Sequence, residues 1–259
     1  MLKINTAERL TLSVAILLAL TLILPSCGKK SSPDTAAGKA AAEASSAEAG
    51  ESAGGMAAGD LVPLDIELPR PMFVGTPQNM RVPNLEKPLG KPRPPFLAPA
   101  GTKNVALGRA IASSDEEPII GEIELIADSD KEATDGSYVE LGPFLQNVTI
   151  DLGAEHDIYA ILVWHFHKQP RVYFDVVVQV ADDPDFISNV RTVFNNDHDN
   201  SSGLGVGQDL HYVETAEGKL IDAKGARARY IRLYSSGNNS NDLNHYVEVE
   251  IYGKPAAAI

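Results

Sequence analysis

Three short runs between Val148 and Val180 constrain the fold of this chain more than any other stretch. In the first, Val148-Thr149-Ile150-Asp151-Leu152-Gly153, apolar residues alternate with polar ones, which predicts a strand with one buried face. A turn is expected at Gly153-Ala154-Glu155-His156-Asp157. The second run, Ile158 to Phe166, is apolar almost throughout and rich in β-branched and aromatic residues. At this length it predicts a strand covered on both faces rather than a helix. The third, Tyr173 to Val180, follows a turn around Gln169-Pro170. Short loops and no helical period between the runs predict an all-β protein, an antiparallel sandwich or barrel. Arg191 to Phe194, Lys219 to Ile221 and Arg229 to Tyr234 add further strands. Arg227, Arg229 and Arg232 read as solvated or sheet-bracing charges, not as an anion site.

Upstream of these runs the composition changes twice. Leu10 to Leu24 has the length of a signal-peptide core and is short for a membrane-spanning helix. It ends at Leu24-Pro25-Ser26-Cys27-Gly28, which resembles a bacterial lipobox, with Pro25 unusual at its position; the alternative is an ordinary signal peptide with an incidental thiol. Cys27 is the only cysteine, so the chain makes no internal disulfide. The resemblance implies a signal peptide over 1–26 and acylation of Cys27, and several acyl chains anchor firmly where one does not. Because Gly28 is not aspartate, the outer membrane of a bacterial envelope is the expected location. Residues 27–60 are almost wholly Ala, Ser, Gly, Glu and Lys, too poor in apolar surface to offset ordering entropy, and predict a flexible tether. Residues 61–101 hold ten of the seventeen prolines, which favours extended polyproline conformation. Leu64, Ile66, Leu68, Met72, Phe73, Val74, Leu85, Phe96 and Leu97 make this segment too apolar for a pure spacer, and an arm packed along the sandwich is expected, above all over Pro92 to Pro99.

The rest, 102–254 with a short tail at 255–259, is long enough to bury a core unaided. Its ordered pieces NVALGRAIASS (Asn104 to Ser114), IADSDKEATDG (Ile126 to Gly136), VTIDLG, VVVQVADDPDF (Val176 to Phe186), ARYIRLY (Ala228 to Tyr234) and VEVEIYG (Val247 to Gly253) resemble the discoidin, or coagulation factor 5/8 type C, domain. The resemblance implies a galactose-binding-like jelly roll, a fold that includes many carbohydrate-binding modules. It also implies a calcium loop, with Asp128 and Asp130 as ligands, Asp135 nearby and Glu248 closing the shell from the last strand. Ser129 stands where the family has glycine, and the register can slip onto Asp135-Gly136-Ser137. A turn dense in Asp suits a cation that needs six to eight oxygens; read without the family, it is a solvated turn whose aspartates cap the backbone.

Charge narrows the partners. From Thr102 onward there are 26 Asp and Glu against 12 Lys and Arg. A domain this acidic repels phosphate backbones and anionic headgroups, which excludes nucleic acid and leaves the lipid anchor as the membrane contact. The resemblance implies that loops at one end of the sandwich bind sugar, and the corresponding loops here are His165 to Tyr173, Asn195 to Gln208 and Ser235 to Tyr246, with His167, Arg171, Asn196, Asp197 and His198 as candidates; Asn and Gly also cluster wherever turns need them. His165-x-His167 with His198, His211 and His245 admits a transition-metal set, though nothing in the spacing fixes it. No catalytic motif stands out, so an enzyme is not expected. Two functions remain: a tethered module that binds carbohydrate, and an envelope lipoprotein that docks another protein.

Overall fold

The computed structural model describes residues 61–73 and 79–257. The signal segment, Cys27 and the tether lie outside these. Eleven strands follow in order: β1 Leu61–Pro63, β2 Leu97–Pro99, β3 Lys103–Asn104, β4 Ala110–Ser113, β5 Val139–Pro143, β6 Gln146–Trp164, β7 Val177–Ala181, β8 Arg191–Asn195, β9 Lys219–Ser235, β10 Leu243–Tyr246 and β11 Glu248–Pro255. Every strand pairing is antiparallel. The large sheet runs β3-β11-β6-β9-β7-β8, with β4 also on β6, and β10 pairs with β5 apart from it.

The turn expected at Gly153 to Asp157 does not separate two strands. Both runs belong to β6, which pairs along its length with β9 and shifts register between Asp151 and His156. Asp151 Oδ1 accepts from the Gly153 amide at 2.8 Å, and Gly153 has φ +79°. A bulge thus absorbs the extra residues and bends the ladder without breaking it. The bend turns both halves inward: Val148, Ile150 and Leu152 from one and Ile158, Ile161 and Val163 from the other line a single core, closed by Val139, Leu141 and Tyr246 of the β5–β10 ladder. The arginines of β9 brace the same bend. Arg229 pairs with Asp151 at 2.7 Å and Arg227 with Asp157 at 2.9 Å, while Arg232 Nε donates to Thr149 at 2.7 Å.

The second half of β6 is covered on its other face too. Ala160, Leu162 and Trp164 form a separate cluster with Val247 and Tyr252, and Leu64, Ile66 and Phe96 of the proline-rich segment pack onto it. Polar contacts hold that segment in place. The Leu64 amide donates to the Phe96 carbonyl, Asn84 and Glu86 bracket the backbone of His211, Glu86 pairs with Lys219 at 2.8 Å, and Arg93 Nη1 donates to the Gly218 carbonyl at 2.9 Å. The prolines keep the chain extended, and alternation along Leu64-Asp65-Ile66-Glu67 turns the apolar residues to the sheet and the acids outward.

Candidate functional site

The loop after β6 delivers Arg171 to the β5–β10 ladder, whose register sets His245 opposite Glu140. His245 Nε2 donates to Glu140 Oε2 at 2.9 Å, and Arg171 Nη1 lies 3.1 Å from the same nitrogen. The Arg171 guanidinium also covers the Phe166 ring at 4.6 Å. Tyr138 meets Phe166 edge-on at 5.2 Å. Arg171, Phe166, Tyr138 and Glu140 are all partly exposed, whereas His245 is 2% exposed. Burial, with the Arg171 charge and His165 adding to it, pushes the His245 pKa down to about 3, so its ring is neutral at any physiological pH. Burial moves Glu140 up, with Arg171 opposing.

A second polar layer fixes this one from beneath. His165 Nδ1 bonds Glu214 Oε1 at 2.6 Å with both side chains buried, and the His165 ring stacks on Tyr173 at 4.3 Å. The Glu214 amide in turn donates to the Arg171 carbonyl at 2.8 Å. The base of the Arg171 loop is therefore held from both its backbone and its neighbouring rings.

The other sequence candidates take different places. His167 is buried, its Nε2 bonded to the Lys131 carbonyl at 2.8 Å. Asn196 is buried and accepts from the Val176 amide at 2.8 Å. Asp197 is buried and holds the amides of Ser201 and Ser202 and the Ser202 hydroxyl. These three side chains are tied into their own loops from inside. His198 is partly exposed and stands against His211. Glu140, Tyr138, Phe166 and His245 were not among the expected ligand residues. Their grouping depends on the β5–β10 register, and the one sequence signal for it is that Phe166 and His245 sit in the polar loops already singled out.

The acidic turn lies elsewhere. Glu248 Oε2 accepts from the amides of Asp128 at 3.2 Å and Ser129 at 3.1 Å. Asp128 caps the Asp130 amide at 2.8 Å, and Asp130 caps that of Glu132 at 2.9 Å. Asp128, Asp130 and Asp135 are exposed and Glu248 is fully buried. Among the described residues, one trio of acidic side chains places its oxygens within 4.8 Å of one another, Asp175, Asp197 and Asp199, and none of the four expected calcium ligands belongs to it. What fits a cation is Glu248 Oε1, buried and without a partner. Burial pushes this carboxyl up to about 9, with the Ser129 amide opposing and Glu250 and Asp128 adding to the rise. Ser129, in the family's glycine position, has φ +76°, a left-handed conformation that costs a side chain roughly 1–2 kcal/mol. Replacing Ser129 with Gly is expected to raise stability by about 1 kcal/mol, read as a higher urea midpoint at unchanged slope; a lower midpoint would mean that the serine side chain supports the loop.

No family model matches the chain, and no curated protein matches it. Among solved structures it is similar to a family 89 glycoside hydrolase from Clostridium perfringens, at 19% identity and TM-score 0.43, over 59% of this chain and 15% of that one. It is also similar to chitosan-binding module 1 of a chitosanase/glucanase from Paenibacillus sp. IK-5, at 17% identity and TM-score 0.42, over 58% of this chain and 99% of that module. A fucose-binding module from Streptococcus pneumoniae, SpX-3, matches at 14% identity and TM-score 0.41, over 58% of this chain and 97% of its own.

Proposed function

We propose that this chain is a non-catalytic carbohydrate-binding module on a lipid-anchored envelope protein. The observation that carries the reading is His245 Nε2, set between a carboxylate at 2.9 Å and a guanidinium nitrogen at 3.1 Å. With Nε2 donating to Glu140, the ring's other nitrogen, Nδ1, is the acceptor and lies 3.4 Å from the same Arg171 Nη1, so the neutral ring holds a carboxylate and a guanidinium side by side at a partly exposed place. A sugar hydroxyl both donates and accepts, and in this site it accepts from Arg171 while donating to Glu140. Tyr138 and Phe166 supply the apolar ring surface that a pyranose covers with its C–H face.

The test is a glycan array probed with the soluble Cys27→Ser protein, arm retained, in calcium and in chelator. Binding to one sugar class is expected, and Arg171→Ala should weaken it at least tenfold, about 1.4 kcal/mol. Glycan binding undiminished in both Arg171→Ala and Glu140→Gln would remove this site from the reading. A folded protein that binds no glycan would favour the second class, an envelope lipoprotein that docks another protein.

Two finer elements belong to the same reading. A structural calcium ion at Glu248 Oε1, drawing further oxygens from the turn that begins at Asp128 and holds Asp130 and Asp135, would supply the positive charge that this buried carboxyl needs. Acylation of Cys27 would tie the module to the membrane through residues 28–60. The parent chain is accordingly expected to incorporate labelled palmitate in cells and Cys27→Ser to incorporate none; a parent chain that takes up no label would rule out the lipid anchor.

A further inference from the structure

The turn that joins β5 to β6 holds an aromatic ring in solvent on a strained backbone. Phe144 is 81% exposed and has φ +70°, a left-handed conformation that is an outlier for a bulky side chain. Side chains from elsewhere in the fold fix the turn. Asn244, fully buried, donates through Nδ2 to the Gly142 and Phe144 carbonyls at 2.9 Å each, and its Oδ1 accepts from the Ser235 hydroxyl at 2.8 Å and the Gly237 amide at 2.9 Å. Asp115 accepts from the Gly142 amide at 2.8 Å, and Gln146 donates to the Pro143 carbonyl at 3.1 Å. The strain costs the folded state, and the exposed ring returns nothing to the core. Residues kept in such conformations by over-determining surroundings cluster at ligand clamps.

We propose that Phe144 is a second sugar-stacking platform, so that the ligand is an oligosaccharide laid along the β5–β10 ladder from Glu140 to Phe144 rather than a single terminal sugar. The inference rests on the sugar site at Arg171 and extends it. One ladder carries both places: Asn244, which sets Phe144, precedes His245, which holds Glu140 at 2.9 Å. Four residues of extended chain separate Glu140 from Phe144, roughly 13 Å, more than one pyranose ring covers. Between them Gly142 contributes no side chain. The atoms nearest the place of its missing Cβ are Asp115 Oδ2 at 3.3 Å and Gln146 Nε2 at 3.9 Å. Both belong to partly exposed residues, and an acceptor beside a donor suits the hydroxyls of a sugar. At the far end the Phe144 ring offers the apolar face that Tyr138 and Phe166 offer at the first position.

The experiment is calorimetry of the Cys27→Ser full chain with β-1,4-linked series of glucose, mannose, galactose and N-acetylglucosamine, each graded from monosaccharide to hexasaccharide. In a series that binds, affinity is expected to rise about tenfold with length. Phe144→Ala should abolish the rise, so that every length binds with one affinity, and Phe144→Trp should keep it. Phe144→Gly separates presentation of the ring from support of the fold: it relieves the left-handed backbone and should raise the urea midpoint while losing the same rise. Arg171→Ala should weaken every length. Affinity independent of length in the parent, or a rise undiminished in Phe144→Ala, would overturn the inference and leave the Arg171 site standing. A folded parent that binds no member of any series would overturn both.

Discussion

Deleting residues 61–101 is expected to lower the melting temperature by roughly 10–20 °C and to shift the fluorescence of the single tryptophan to longer wavelength. The cluster of Ala160, Leu162, Trp164, Val247 and Tyr252 lies on the face of the large sheet that Leu64, Ile66 and Phe96 cover. An apolar side chain removed from water contributes about 1.5–3 kcal/mol when fully buried, and these three are partly buried, so their joint contribution is about 5 kcal/mol. For a domain of this size, 1 kcal/mol moves the transition by about 2–4 °C. Trp164 is fully buried in the intact chain, its Nε1 donating to the Ala216 carbonyl at 3.0 Å, so its emission reports the loss of cover directly. Phe96→Ala, which leaves the chain length intact, should reproduce part of both effects at a cost of about 2 kcal/mol. A deletion variant with the parent's melting temperature and emission would show that the segment is a spacer and contributes nothing to the sheet.

This arm marks the limit of what the sequence discloses. Its composition carries two opposite signals, prolines that stiffen an extended chain and apolar residues that need cover. Local reading detects both, yet it cannot identify the surface on which they meet. The same limit explains β6. Alternation through Val148, Ile150 and Leu152 and the apolar run after Ile158 are local, and both were legible. Whether Gly153 to Asp157 forms a hairpin or a bulge depends on where β9 pairs, seventy or more residues along the chain, so the expected turn proved to be a bend within one strand. Arg171 was legible as a charged residue in a polar loop, His165 to Tyr173, between two strand-forming runs. Its partners Glu140 and His245 were not, because a cross-strand register of Glu140 with His245 leaves no trace in the spacing of either.

Glu248 makes the strongest pH-dependent prediction. Its folded pKa, raised to about 9 by burial, lies far above the ordinary carboxylate value of about 4.3. The folded state therefore holds this proton more tightly than the unfolded chain does. Its stabilising contribution is complete below the unfolded value and is lost progressively as pH rises towards the folded one, with a slope of at most about 1.4 kcal/mol per pH unit. In chelator, the melting temperature of the parent chain should accordingly fall between pH 5 and pH 9, relative to Glu248→Gln, whose neutral amide carries no such penalty. Calcium at the unpartnered Oε1 would neutralise the ionised carboxylate, so the stabilisation by added calcium should grow with pH in the parent and be absent in the variant. A parent chain whose pH profile in chelator matches that of Glu248→Gln would mean that the carboxyl ionises freely in the folded state. A matching profile together with no response to calcium would remove both the buried charge and the ion from this turn, leaving Glu248 as an acceptor for the Asp128 and Ser129 amides alone.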